Sequence, residues 1–365
     1  MTMSGVPAYR VRRLANNPII RPHMDDRMGA NVRFFVAGGP MSKRIQSVLV
    51  VAAISAAALL HGPALGQPYP TRPVRLLVPF APGGGTDVIA RTVAQHLSKA
   101  LGGNVVVENR AGAGGTIGSD LVAKAAPDGY TLLMATNATL ALAPGLYPKL
   151  GYDPVRDFTP VALVATGPSI LVANPQLPVA DTAAFIAYAK ANPGKLNYGS
   201  AGNGSMAHIS TSLFNRMNGS QSTHVPFKGG AMAVQELVAG RLQFMIAGPV
   251  ETIPLVQSGH LRALAVTTAG RFAGLPALPP LADSLPGYDI TNWYGVVAPA
   301  GMPAEPVALL ARHVRDMLAQ KEVQELLLKQ GVAAKSMDGA ALRDFIRDDV
   351  QKWTRVVRQM GIAAE

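Results

Sequence analysis

The sequence predicts an α/β protein of two lobes, each a mostly parallel sheet flanked by helices. The chain has 365 residues, which exceeds the roughly 250 to 300 residues at which a single core stops growing. Short apolar runs rich in β-branched residues alternate with helical patterns, which is the order of βαβ units. The alternation begins again near residue 169, so we expect a second lobe.

The first lobe is predicted from three strands and the helices between them. The strands are VRLLVPF (74–80), NVVVENR (104–110) and TLLMAT (131–136), and the helices are DVIARTVAQHLSKAL and TIGSDLVAKAA. In the first helix Val93, Leu97 and Leu101 recur every four residues, which gives one apolar face to lie on a sheet. Thr86 or Asp87 is placed to cap that helix.

The second lobe repeats the alternation. Its predicted strands are SILVAN (169–174), LNYGS (196–200), THVPF (223–227), LQFMIAG (242–248) and LRALAVTT (261–268), with helices near 181–191, from Ser205 and near 230–239. The tail adds the strand WYGVVAP (293–299) and a final helix whose apolar stripe we expect to return to the first lobe. The predicted bounds are 67–167 plus 293–365 for the first lobe and 168–292 for the second, with crossings near 166–169 and 289–293.

The N-terminus carries the pattern of a secretory signal. Lys43 and Arg44 precede an apolar run over 48–60 that is too short to span a membrane, and Ala64 and Gly66 supply small residues for a signal peptidase. We therefore expect a signal peptide over 41–66, cleaved near Gly66. Residues 1–40 either result from a start codon that was assigned too early or form a genuine, disordered extension.

Composition excludes several classes of partner and chemistry. The formal charge is +11, but residues 1–66 hold eight of the 33 Lys and Arg and two of the 22 Asp and Glu, which leaves +5 on the remainder. Those charges are scattered and form no basic stripe, so we expect no nucleic-acid partner. With no Cys, the chain has neither a disulfide nor a thiolate nucleophile. No His pair or carboxylate cluster has metal spacing, so no metal is predicted.

The motifs of common enzymes are also missing. Gly83 and Gly85 are followed by Val88 where a dinucleotide fingerprint needs a third glycine. Ser200 and Ser205 lack the Gly-x-Ser-x-Gly pattern of a hydrolase nucleophile. We therefore predict that the protein is not an enzyme and needs no cofactor.

Two glycine-rich loops indicate where a ligand would bind. PFAPGGGTD (79–87) and GSAGNGSMAH (199–208) each lie between a strand and a helix, where loop amides and the helix N-terminus favour an anion. One loop falls in each lobe, so the two helix N-termini could hold one carboxylate in the cleft between them. Phe80 is expected in the cleft wall, whereas Phe227 fits the wall and the core equally well.

Seven segments resemble the Bug family of periplasmic solute receptors, which are associated with tripartite tricarboxylate transporters. They are YPTRPVRLLVPFAPGGGTDVIAR, VENRAGAGGTIGSDLVAKAAPDGYTLL, YDPVRDFTPVALVA, PGKLNYGSAGNGSMAHI, HVPFKGG, ALAVTT and WYGVVAPAG. The likeness covers about residues 68–362 in the family's order. It implies the two-lobed Venus flytrap fold of periplasmic binding proteins and a ligand carboxylate held by backbone amides.

The resemblance also implies a set of ligand-binding residues. Those expected in the first lobe are Phe80, Ala81, Gly83, Gly84, Gly85, Asp87, Thr136 and Asn137; those expected in the second are Ser200, Ala201, Gly202, Gly204, Ser205, His208, Phe227, Lys228 and Gly229. From the residue pattern alone, His208 is expected to be a packing or hydrogen-bonding residue rather than a catalytic base, and Lys228 fits a solvated position as well as a ligand contact. One departure is Ile246-Ala247-Gly248, where family members often carry a Phe-Asp-Asn-like stretch.

The function implied is capture of a small carboxylate in the periplasm for a membrane transporter, by a protein that we expect to be a monomer. A receptor that presents its ligand to a sensor kinase is an alternative that the sequence does not separate from transport. A periplasmic α/β hydrolase is a third, disfavoured by the missing nucleophile. The sequence does not name the carboxylate.

Overall fold

Neighbouring apolar residues in the first strands point to opposite faces of one sheet, and both faces are covered. Leu76 belongs to the hydrophobic cluster on one face and Leu77 to the cluster on the other, as the two-residue period of a strand requires. An uninterrupted apolar run is therefore the pattern of a strand buried on both sides. The structure, a computed structural model, describes residues 69–362.

Eleven strands form two sheets within residues 69–362. The strands are β1 Val74–Val78, β2 Val105–Asn109, β3 Thr131–Thr136, β4 Phe158–Pro168, β5 Ile170–Ala173, β6 Leu196–Ser200, β7 Ser222–Pro226, β8 Phe244–Ala247, β9 Arg262–Val266, β10 Thr291–Pro299 and β11 Ala333–Met337. The first sheet has the order β11-β4-β10-β3-β1-β2, and the second has the order β7-β6-β8-β5-β9.

Helices cover both sheets. They are α1 Gly85–Leu101, α2 Thr116–Ala123, α3 Ala143–Leu146, α4 Thr182–Ala191, α5 Met206–Asn218, α6 Gly230–Val238, α7 Pro249–Gln257, α8 Ala304–Leu318, α9 Lys321–Lys329 and α10 Gly339–Met360. A π-helical turn over Ala138–Leu142 precedes α3, and short 3₁₀ turns lie at Ala113–Gly115 and Leu281–Asp283. The predicted α/β architecture of two sheets with flanking helices is confirmed.

The prediction that each sheet is mostly parallel needs correction, because both sheets are mixed. In the first, β1 is parallel to β2 and β3, but β10 is antiparallel to β3 and β4, as β11 is to β4. In the second, β6 is parallel to β7 and β8, whereas β5 is antiparallel to β8 and β9. β4 takes the chain out of the first sheet and β10 brings it back, so these neighbours run in opposite directions.

The two passages between the sheets lie side by side. Ser169 joins β4 to β5, and the Asn292 side chain in β10 donates a 2.9 Å hydrogen bond to the Ser169 hydroxyl. Thr291 pairs with Pro168 at the same place. The chain therefore leaves the first sheet at Ser169 and re-enters it at the start of β10.

The final helix, α10, packs against both parts of the molecule. Leu342 and Ile346 belong to the cluster on one face of the first sheet, whereas Trp353 and Val357 belong to the cluster around the second. The helix returns to the first sheet as expected and continues beyond it. The predicted signal peptide and the extension before it lie outside the described residues.

Candidate functional site

A cavity lies between the two sheets, where β1, β3, β6 and β8 end. Its volume is about 100 Å³, enough for a small molecule or several waters. The wall consists of Phe80, Ala81, Gly84, Gly85, Thr86, Thr136, Asn137, Ala138, Ser169, Ala201, Ser205, Met206, Ala207, Gly230, Met245, Ile246, Ala247, Gly248, Glu251, Asn292 and Tyr294. Both glycine-rich loops therefore contribute to one cavity.

The first loop is held in place by Asp87. The backbone N–H of Gly83 donates to the Asp87 carboxylate over 3.0 Å, and Arg91 and Asn109 donate to the same group. Burial alone would raise the pKa of Asp87, but these donors outweigh it and the pKa is lowered. Gly83, with φ of +83°, and Asp87 support the loop but do not lie in the cavity wall. Phe80 does.

The second loop is supported in the same way by two histidines. The Ser200 hydroxyl lies 2.6 Å from Nε2 of His224, and the His224 ring stacks on His208 with 4.1 Å between ring centres. Burial and the neighbouring His208 lower the pKa of His224 to about 4, and burial lowers that of His208. Both rings are therefore neutral at pH 7.

Four of the second-lobe residues expected at the ligand lie outside the cavity wall. They are Ser200, Gly202, Gly204 and His208. The wall receives Ala201 and Ser205, together with Met206 and Ala207 from the first turn of α5. The Ser205 hydroxyl accepts from the backbone N–H of His208, so Ser205 caps α5.

The structure does not place Phe227, Lys228 or Gly229 in the wall either. Phe227 packs against the cluster around the second sheet, and Lys228 is exposed. The following residue, Gly230, lines the cavity instead.

Thr136, at the end of β3, has a hydroxyl without a partner. The residue is 5% exposed and lines the cavity, yet its Oγ1 makes no hydrogen bond within residues 69–362. A buried hydroxyl without a partner costs free energy, so a ligand atom is the expected partner. The neighbouring Asn137 side chain donates to the backbone carbonyl of Thr291.

Sequence reasoning did not find the contribution of Glu251. This residue is in the first turn of α7, and its Oε2 accepts a 3.1 Å hydrogen bond from the backbone N–H of Gly85 across the cavity. Burial raises the pKa of Glu251 to about 7, although donors at Gly85 and Gly248 oppose the rise. The one signal in the sequence was its place three residues after Gly248, where a Glu reaches back to a helix start.

Ser169, Asn292 and Tyr294 were also missed. They lie on the passages between the sheets, where no glycine or motif distinguishes them. Within residues 69–362 no group of His, Asp and Glu could hold a metal ion. None of the helices in that range is both long enough and apolar enough to cross a bilayer.

Comparison with known proteins gives a consistent result. A model for the tripartite tricarboxylate transporter family receptor, TctC, matches residues 89–362. Protein BugT of Bordetella pertussis is 39% identical over 318 residues, which cover 86% of this chain and 96% of BugT.

Solved structures agree. R. palustris Rpa4515, solved with adipate, is 38% identical with a TM-score of 0.79, covering 81% of this chain and 99% of that one. MatC (Rpa3494) from Rhodopseudomonas palustris, solved with bound malate, is 36% identical with a TM-score of 0.76, covering 79% of this chain and 100% of that one.

Proposed function

This chain belongs to the tripartite tricarboxylate transporter receptor family, that of the Bug proteins, and we propose that it captures a small carboxylate between its lobes for uptake. It is a periplasmic-type solute-binding protein. The first lobe comprises residues 67–167 and 293–365, and the second comprises residues 168–292. The two lobes close on the ligand. The observation that carries the proposal is the Thr136 hydroxyl, which is buried at the cavity and has no partner in the described residues.

Helix N-termini supply the rest of the anion site. Thr86 of α1 and Met206 and Ala207 of α5 are first-turn residues in the wall, and first-turn amides have no partner within their helix. Together with the positive ends of both helices they favour a negatively charged group. The adipate and malate in the two solved relatives support a carboxylate of similar size.

The protein has no catalytic role in this proposal. Ser200 and His224 form a close pair that looks like a nucleophile and its base. The Ser200 side chain is fully buried behind the loop, and its hydroxyl also donates to the Gly202 carbonyl. No carboxylate within residues 69–362 hydrogen-bonds to His224. These contacts support a pair that stiffens the ligand loop.

Export and delivery complete the proposal. The chain is secreted, its signal is removed near Gly66, and the mature monomer hands its ligand to the membrane subunits of a transporter. The relatives are periplasmic receptors of this kind, which supports the assignment.

A panel of mono-, di- and tricarboxylates, each paired with an uncharged ester, tests the proposal on the mature chain by thermal shift and calorimetry. We expect at least one acid to raise the melting temperature and its ester to have no effect. Mass spectrometry of the recovered ligand should show it unchanged. Stabilisation by no acid, or equally by acid and ester, would contradict carboxylate capture, and a modified ligand would contradict a receptor without catalysis.

A further inference from the structure

The cavity already contains one carboxylate, that of Glu251. Three helices begin beside this carboxylate, and each has a glycine at its N-terminus. Gly85 and Gly230 are the first residues of α1 and α6, and Gly248 immediately precedes α7. A Cβ on Gly230 would lie 2.7 Å from the Glu251 carboxylate, one on Gly248 2.9 Å and one on Gly85 3.1 Å. The carboxylate thus approaches three helix N-termini at distances that a side chain at these positions would obstruct.

In this arrangement a carboxylate of the protein, that of Glu251, occupies part of the anion-binding region formed by the helix N-termini. Helix N-termini stabilise a carboxylate, and the amide of Gly85 is already engaged by Glu251. Glu251 makes no ion pair with any Lys, Arg or His in residues 69–362. It is also the sole charged side chain in the cavity wall, which contains no basic residue.

A ligand in this cavity therefore meets a different environment at each end. At the N-terminus of α5 it meets the first-turn amides of Met206 and Ala207, which suit a carboxylate. At the α7 end it meets the Glu251 carboxylate, and two carboxylates in contact do not readily both ionise. A hydrogen-bond donor on the ligand would satisfy Glu251, whereas a second negative charge would be repelled.

We propose that Glu251 makes this receptor select ligands with one carboxylate and, at the other end, a hydrogen-bond donor such as an amino, amide or hydroxyl group, over dianionic dicarboxylates. The inference rests on the proposed function and narrows its ligand class. The proposal also concerns position 247, where family members often carry an Asp. This chain has Ala247 there, but Glu251, four residues later, supplies a carboxylate to the same cavity. Tyr294, whose phenol is buried in the same wall, is the other titratable group near Glu251.

The raised pKa of Glu251, about 7, adds a second consequence. Below that pH the carboxyl group becomes neutral and can itself donate a hydrogen bond to a ligand carboxylate. Wild-type affinity for a dianion should therefore increase as the pH falls through 7.

Calorimetry with matched ligands tests the proposal. The probes are succinate, glutarate and adipate, the monoamide of each, and the ω-amino acid of each length. At about pH 8 the wild type should bind an amide or amino acid at least about tenfold more tightly than the dicarboxylate of the same length. In Glu251→Gln the ratio of the two affinities should decrease to about threefold or less, because the repelling charge is gone.

The control is Glu236→Gln, which removes an exposed carboxylate from α6 outside the cavity and should leave the ratio unchanged. If Glu251→Gln does not fold, the pH series on the wild type still decides, with dianion affinity expected to rise about tenfold between about pH 8 and about pH 6. An unchanged ratio in a folded Glu251→Gln, or a wild type that prefers dianions at about pH 8, would overturn the role of Glu251 while leaving carboxylate capture intact. Binding of no carboxylate by any variant would instead overturn the proposed function.

Discussion

The phenol of Tyr147, at the end of α3, donates a 2.9 Å hydrogen bond to the backbone carbonyl of Asn203 in the second-lobe glycine loop. Because this bond joins residues of the two predicted lobes, we expect Tyr147→Phe to shift the equilibrium towards a more open form. A neutral hydrogen bond contributes about 1 kcal/mol, so ligand affinity should fall about fivefold. Calorimetry measures the affinity, and small-angle scattering should show a radius of gyration that decreases on ligand addition, less completely in the variant.

The control for Tyr147 is Tyr69→Phe, which removes a phenol bond to the Gly129 carbonyl within the first lobe. It should change stability but not affinity. Equal affinity in Tyr147→Phe and the wild type would show that the Asn203 contact does not contribute to closure.

Replacing Thr136 with Val should weaken binding without destabilising the fold. The hydroxyl has no partner among the described residues, so its removal costs no internal hydrogen bond, whereas the ligand loses one worth about 1 kcal/mol, or about fivefold in affinity. The control is Thr139→Val. Its hydroxyl accepts from the Thr136 amide and donates to the Thr136 carbonyl, so that variant should lose stability. Full affinity in Thr136→Val would remove the hydroxyl from the site.

Gly84→Val should abolish tight binding by placing a side chain in the cavity. The protein has room for it, since a Cβ on Gly84 would lie 3.9 Å from the nearest atom, the carbonyl oxygen of Ala81. The side chain then blocks contact between the ligand and the first loop, and we expect affinity to fall about 100-fold or more, measured by calorimetry. Gly270→Val, in an exposed loop with open space around it, is the matched control. Equal affinity in both variants would mean that the ligand does not contact the first loop.

Stability should decrease in mild acid because of His224. Its pKa is lowered from 6.5 to about 4 in the folded protein, so below pH 6.5 the unfolded chain binds the proton first. The free energy of unfolding should fall between pH 6.5 and about 4 and level off below, by on the order of 1 to 2 kcal/mol for a partly exposed ring. Urea titrations measure it. His224→Gln should reduce the dependence of the free energy of unfolding on pH, whereas His260→Gln, which replaces an exposed histidine, should not. Parallel pH curves for His224→Gln and the wild type would show that His224 does not cause the loss of stability.

The mature protein should begin near Gln67, because Ala64 and Gly66 follow a short apolar run. Intact-mass analysis of a periplasmic extract measures this directly. A main species that retains residues 1–66 would argue against export by cleavage.

Much of the fold could be predicted because most strands are apolar runs bounded by turn residues; β11, with the sequence AAKSM, was not predicted. LNYGS was predicted over 196–200, and β6 is Leu196–Ser200. Strand direction could not be predicted, since residue period says where side chains point but not which neighbour a strand pairs with. The antiparallel contacts of β4 and β10 depend on where the chain crosses between sheets.

The candidate site could be predicted only where it is local in sequence. Gly84 and Ser205 belong to glycine loops that are visible as patterns, and both line the cavity. Glu251 and Tyr294 come to the same cavity from segments 166 and 209 residues after Gly85, so only tertiary packing brings them together. Asp87 and His208 were implied as ligand contacts by the family resemblance, and in the structure each accepts a hydrogen bond from the backbone of its own loop.

Trp293 and Trp353 are the only tryptophans in the chain; Trp293 packs in the cluster on one face of the first sheet, and α10 links the two residues. Trp293 is in β10, which returns from the second sheet, and its indole donates to Asp349 of α10 over 2.8 Å. Trp353, one turn further along α10, packs in the cluster around the second sheet. Selectively excited tryptophan fluorescence therefore reports on the two hydrophobic clusters that α10 connects, without any added label.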